Sequence, residues 1–198
     1  MDKLAGMSEP WEMRDTDNPA ATSSTGADAR TALLRGFAEL VLSRRYGDFG
    51  VASIIQAAQV ARSTFYYHFA GKDDLLLENL RPFVETLAAM PQEQGVSPAL
   101  EQWVSHIWTQ RATARRLLGG PTGDKLQTLL ADTLRERLSL QCVDISPDGL
   151  TMLAEQIAAS SMALLRAWVG HRFSAAPPSV ALSLRRGARA LSHPREHS

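Results

Sequence analysis

Apolar residues along this chain recur at three- and four-residue spacing, and no stretch alternates long enough to make a convincing strand, so the pattern predicts an all-α fold. Leu33, Phe37, Leu40 and Val41 gather on one side of a first helix that Asp28 would cap and Gly47 would stop. A second, short apolar helix is written in GVASIIQAAQ, residues 50–59, and a third in the run VARSTFYYHFAGKDDLL at residues 60–76. At ~100° per residue, Phe65 and Phe69 lie side by side on that third helix, while Ser63, Thr64 and Tyr67 fall on the opposite side. One face packs and the other is offered outward. Only a few residues separate this helix from its predecessor, which is the spacing of a helix-turn-helix. A fourth helix starts near Lys72, where Asp73 and Asp74 suit the positive end of the helix dipole, and runs towards Met90 with a kink expected at Pro82.

Beyond Pro91 the helical period continues, broken at Gly95, at residues 119–123, at Pro147 and at residues 175–178. Helices are expected at residues 98–110, 111–118, 124–140, 147–172 and 179–191, nine in all. Residues 1–27 are rich in Asp, Glu, Pro, Ser and Thr with no apolar period, and read as a disordered leader in which Trp11 and Met13 are the groups able to dock. Residues 192–198 form a polar tail. The domains expected are therefore a helix-turn-helix unit at residues 28–77 and a larger helical unit at residues 78–191.

Composition fits a folded protein, with 44% hydrophobic and 21% charged residues over 198 positions. Net charge is zero, so nothing global suggests nucleic acid. The local balance does: between residues 28 and 72, Arg30, Arg35, Arg44, Arg45, Arg62 and Lys72 outnumber Asp28, Glu39 and Asp48. The single cysteine, Cys142, cannot form an internal disulfide, and no signal peptide opens the chain, which makes a reducing cytoplasm the expected location. Cys142 reads as a buried apolar thiol rather than a sensor. The longest apolar stretch, residues 157–169, is interrupted by Arg166 and is too short to span a bilayer.

In residues 30–77, the order Val60, Thr64, Phe65, Tyr66, His68, Phe69, Lys72, Leu75, Leu76 resembles the DNA-binding domain of TetR-type transcriptional regulators. The chain departs from that pattern at four positions. Gly50 stands where a capping Thr is usual, Ser53 where an acidic residue is common, Gln59 where the turn glycine is usual, and Ala61 where a capping Ser is usual. The first and last weaken helix caps, and Gln59 lacks glycine's freedom at positive φ. The resemblance implies a nine-helix architecture, with an N-terminal three-helix helix-turn-helix domain and a C-terminal ligand-binding and dimerisation domain. It also implies a homodimer on a palindromic double-stranded DNA operator, repression, and release by a small-molecule effector. Arg62, Ser63, Thr64 and Tyr67 are the candidates for base edges because they point away from the Phe65 and Phe69 face. Tyr66, His68 and Lys72 are the candidates for phosphate, as the matching positions are in the family.

Two constellations in the second unit carry expectations. Ile157, Ser161, Leu164, Leu165 and Trp168 line one side of the penultimate helix, and Val180, Leu184 and Leu191 are their counterparts in the last. The resemblance makes these a four-helix dimer interface, whereas periodicity alone equally allows an intrachain core. Trp103, His106, Ile107, Trp108, Met152 and Gln156 mix large apolar with sparse polar groups, as effector-pocket linings do, though solid core is the alternative for most of them.

Other features carry no site. GGPTGDK, residues 119–125, lacks both the spacing and the preceding strand of a phosphate loop. His106, His171, His193 and His197 have no neighbouring ligands at metal spacing, and no nucleophile stands beside a base. No metal, cofactor or enzymatic activity is expected. The alternative to a DNA-binding regulator is a helical ligand-binding or protein-interaction dimer that has lost specific DNA binding.

Overall fold

A computed structural model describes residues 19–44, 46–141 and 144–193. Cys142, Trp11, Met13 and the tail from residue 194 lie outside the described residues. Within them the chain forms nine α-helices, one 3-10 turn and no strand.

The helix-turn-helix unit is built from α1 (Pro19–Ser43), a 3-10 turn at Tyr46–Asp48, α2 (Val51–Ala58) and α3 (Arg62–His68), with the start of α4 (Lys72–Ala89) closing it. Leu33, Phe37, Leu40, Phe49, Ile54, Phe65, Phe69, Leu75 and Leu76 make its core. Gly36 sets the crossing of α1 and α2: a Cβ there would come within 2.9 Å of the Ala58 amide nitrogen, so only glycine lets the two backbones touch. Helix α1 begins nine residues before the expected Asp28 cap, and Asp28 is an exposed residue inside it. The reason is local. Pro19 at the first helical position pre-sets φ, and Ala20 and Ala21 favour helix, whereas a missing apolar period reports only that nothing there need be buried.

Neither Gly50 nor Ala61 gives its helix a side-chain cap bond. The turn between α2 and α3 passes through Gln59 at φ 54°, in the left-handed region, with the amides of Gln59 and Val60 reaching back to the carbonyls of Gln56 and Ile55, each at 3.3 Å. This closes α2 in the manner of a glycine cap without glycine. On the far side of α3, the Asp74 carboxylate accepts from the Ala70 amide at 3.1 Å and fixes the entry into α4.

Five further helices follow: α5 (Pro98–Thr109), α6 (Arg111–Leu118), α7 (Pro121–Ser139), α8 (Pro147–Val169) and α9 (Pro177–Ser192). Each agrees with the expected span to within three residues. Proline opens four of them, and Ser97 and Ser146 cap α5 and α8 by accepting from Leu100 and Gly149. Helix α7 packs against α4, α6 and α8, and α9 packs against α5 and α8. Gly123 places the first turn of α7 directly on the Leu118 carbonyl, where a Cβ would approach to 2.1 Å. Arg166 secures the same corner, donating to the Leu118 carbonyl at 2.7 Å and to Asp124 at 2.9 Å. Helix α4 runs on through Pro82, and Phe83, Val84, Leu87 and Ala88 carry it into the second core.

The left-handed turn yields a prediction. Gln59→Gly should stabilise the protein by about 1 kcal/mol, because a left-handed conformation costs an L-residue about that much and glycine nothing steric. Denaturant unfolding monitored by circular dichroism checks it, and a lower midpoint in the variant would show that Gln59 is not strained.

Candidate functional site

Helix α3 has the two faces its sequence requires. Phe65 is fully buried and Phe69 nearly so, with ring centroids 6.1 Å apart in the domain core. Arg62, Ser63, Tyr66 and Tyr67 are exposed, and Tyr67, at 83%, stands almost free of the protein. Thr64 and His68 are half-buried at the edges of that face. The Tyr67 ring has no packing role in the core, so the face offers hydroxyls, phenols and a guanidinium to solvent on a rigid base. Arg62 is held rather than free, its guanidinium 5.5 Å from the Tyr66 ring centroid and 3.5 Å from the Tyr66 hydroxyl.

Lys72, expected to face phosphate, is turned inward. Its ammonium donates to the carbonyls of Tyr46 and Phe49, at 2.7 and 2.9 Å, and lies 4.0 Å from the Tyr46 ring centroid. Two of its three N–H donors are thereby used on the 3-10 turn and the residue that follows it, and Lys72 is first a clamp that holds α4 to the segment before α2. Sequence reasoning missed the partners of that clamp. The Tyr46 hydroxyl donates to Asp73, which also pairs with Lys125 of α7 at 3.4 Å. Burial first, then the Asp73 bond, pushes the Tyr46 phenol well above its ordinary range. The bond from Tyr46, followed by the nearby charges of Lys125 and Lys72, outweighs burial and holds the Asp73 carboxyl below its usual range. A tyrosine five residues before the second helix and an aspartate after the lysine were visible signals, but nothing in their spacing joins them.

A partly open cavity of about 120 Å³ lies where the two units meet. Val41 of α1 and Leu76 and Leu80 of α4 form one side; Phe83, Trp103, His106, Ile107, Gln110, Thr113, Ala114, Leu117, Leu118, Thr122 and Leu126 complete it. Three of the expected pocket residues, Trp103, His106 and Ile107, are therefore on its wall. The other three are not. Trp108 stacks on Trp168, centroids 4.8 Å apart and planes 17° apart, under the guanidinium of Arg111. Met152 and Gln156 are exposed on α8, away from the cavity. Heptad-like spacing could not separate them, since one turn of α8 decides inside from outside.

Residues 33–78, which contain α2, α3 and the clamp, match the family model described as bacterial regulatory proteins, tetR family. That match covers the helix-turn-helix unit and the start of α4. It is similar to the HTH-type transcriptional regulator EthR of Mycolicibacterium smegmatis, 26% identical over 111 residues, covering 49% of this chain. The chain spans about half the length, 51%, of that curated relative. Its fold is similar to a TetR transcriptional regulator from Streptococcus agalactiae 2603V, at TM-score 0.53 and 21% identity over 86% of this chain and 99% of that one. A second, from Rhodococcus sp. RHA1, gives TM-score 0.57 and 13% identity over 88% and 100%.

The stripe expected at a family dimer interface is mostly used within the chain. Ile157, Leu165 and Trp168 are completely buried, Ser161, Val180 and Leu184 nearly so, all among the helices of the second core. Trp168 also donates from its indole to the Ala175 carbonyl at 3.0 Å. Only Leu164 and Leu191 keep partial exposure. Among the residues that α8 leaves open are Met152, Glu155, Gln156, Ala159, Ser160 and Ala163, and among those of α9 are Ser183, Arg186, Gly187, Arg189 and Ala190. The most apolar stripe went to the core because the chain's own helices reach it first. Among the described residues, no three His, Cys, Asp or Glu side chains gather as a metal site, and no helix is long and apolar enough to cross a membrane.

The inward posture of Lys72 makes its loss a stability effect. Lys72→Met keeps the stem and removes two charged hydrogen bonds, so it should destabilise the protein by about 1–3 kcal/mol and weaken DNA of every sequence alike. Chemical unfolding of the variant decides: an unaltered midpoint with weakened DNA binding would return Lys72 to phosphate alone.

Proposed function

We propose that this regulator is a cytoplasmic repressor that binds a palindromic operator as a homodimer, α3 of each copy entering the major groove, and that a small molecule in the cavity releases it. The observation that carries the reading is the exposed face of α3, where Arg62, Ser63 and Tyr67 stand outward on a helix anchored by Phe65 and Phe69. Base edges are read by such side chains and register is set by phosphate contacts from Tyr66 and His68. A single helix-turn-helix makes too few contacts for tight specific binding, so two copies must present their α3 helices about 34–36 Å apart.

The partner face that best fits is the small-residue stripe of α8, Ala159, Ser160 and Ala163, flanked by Leu164 and by Leu191 of α9. Small side chains let two helices approach closely, and a second copy of the same stripe is self-complementary across a two-fold axis. The relative EthR, an HTH-type transcriptional regulator by name, supports the DNA half of the reading.

Tyr67→Ala should weaken specific operator binding by about 1–3 kcal/mol while leaving binding to unrelated DNA unchanged. Electrophoretic mobility with the DNA upstream of the chain's own gene checks this, and equal affinity in the variant would take Tyr67 out of the readout. Wild-type protein that shifts no such DNA would favour a ligand-binding dimer without an operator.

The interface has its own test. Ala163→Arg puts a long charged side chain on the open stripe without touching the core, so it should give folded monomers with lowered operator affinity. Sedimentation velocity at micromolar concentration is the measurement. An unchanged dimer would place the seam elsewhere.

A further inference from the structure

The lining of the cavity restricts what it can hold. Leu76, Leu80, Phe83, Trp103, Leu117 and Leu126 give an apolar wall, and no Asp, Glu, Lys or Arg side chain belongs to the lining. An ion entering would leave water and meet no counter-charge, an arrangement that proteins avoid. His106, at the exposed edge, is its one titratable group. The volume, about 120 Å³, is somewhat below the roughly 150 Å³ of an engineered apolar cavity that accepts benzene in another protein. The occupant is therefore about one ring in size.

Besides His106, three polar side chains line the cavity, Gln110, Thr113 and Thr122, and of these only Thr122 is buried. Thr86, Thr109, Thr128, Thr133 and Thr151 each return their hydroxyl to the carbonyl four residues earlier, at 2.8 to 3.2 Å. Thr122 has no such partner. The carbonyl four residues before it is that of Leu118, which already accepts from Arg166 at 2.7 Å and lies under Gly123. Thr122 is only 9% exposed, lines the cavity, and its hydroxyl has no hydrogen-bond partner among the described residues. The hydroxyl keeps some accessible surface, and a molecule in the cavity that bonds to it supplies the partner the chain does not.

We propose that the cavity binds a small uncharged molecule of about one ring, apolar over most of its surface, whose single hydroxyl or carbonyl pairs with the Thr122 hydroxyl. This rests on the reading of the cavity as the effector site. The ring fills the space between Leu76 and Leu80 of α4 and the α5 to α7 wall, and so touches the helix that leads directly from α3.

Calorimetric titration of the full chain without DNA tests it, using phenol, toluene and benzoate as probes. Phenol and toluene should bind saturably and benzoate at least about tenfold more weakly, since its carboxylate would be buried without a partner. Thr122→Val should weaken phenol by about fivefold, the value of one net hydrogen bond, and leave toluene within about twofold. Ala114→Leu, which fills the cavity, should abolish both. Benzoate binding as well as phenol, or phenol binding Thr122→Val as tightly as wild type, would overturn the assignment. Failure of both phenol and toluene to bind at millimolar concentration, in protein that still shifts its operator, would overturn it while leaving the regulator reading intact. Phenol that binds as stated yet leaves operator affinity unchanged would uphold the ligand class and remove the effector role.

Discussion

Helix α4 belongs to two cores at once, and the rest of the molecule depends on that sharing. Its first turns place Leu75 and Leu76 among the aromatic residues of the helix-turn-helix unit, and two turns later Phe83, Val84 and Leu87 are buried among α5, α7 and α8. Leu80, between them, packs against both. A close-packed interior does not deform continuously, so a helix embedded in two such interiors can change its tilt only if one of them repacks. The N-terminus of α4 is clamped to the rest of the DNA-reading unit by Lys72, Tyr46 and Asp73, and Asp73 is tied in turn to Lys125 of α7. Motion of the second unit is thus delivered to α3 through a short, stiff connection rather than through a flexible linker.

The helix-turn-helix itself is held by packing, not by local sequence preference. Helices α2 and α3, of 8 and 7 residues, are too short to persist alone and lack side-chain caps, and the turn between them takes a left-handed residue that is not glycine. Each of these works against the local structure. Against them stand the backbone contact at Gly36, the Phe37, Tyr46 and Phe49 cluster with ring centroids 6.0 to 6.4 Å apart, and the ammonium of Lys72 set over two of those rings. The surface of α3 is free to carry Tyr67 and Arg62 because none of its stability is drawn from that side.

What could be read from the sequence follows from which forces are periodic. The apolar period located α4 to α9 to within three residues at either end, and it put Phe65 and Phe69 inward and Tyr67 outward, because helix geometry converts spacing into direction without further information. It failed where the answer depends on a second helix. Ile157, Leu165 and Trp168 form the strongest stripe of α8, and burial within the chain claimed them; the face left open is the weaker one, made of Ala159, Ser160 and Ala163. Met152 and Gln156 share the spacing of pocket residues but point out. Lys72 kept its place in the motif and lost its expected orientation, since Tyr46 and Phe49, more than twenty residues earlier, take its charge. The early start of α1 at Pro19 shows the same limit from the other side, for residues 19–27 carry no apolar period to read.

The cavity at the junction gives the sharing of α4 its functional sense. A ligand that enters this apolar space shifts the protein between two arrangements only by the difference in its affinity for them. Because Val41 and Leu76 form part of the wall, the shape of the cavity changes whenever the DNA-reading unit moves against the second core, and a rigid ring must prefer one shape. A flexible chain could adapt to both and would bind without moving anything. On the effector reading proposed above, the geometry favours rigid ligands, and the discrimination lies in stiffness as much as in polarity.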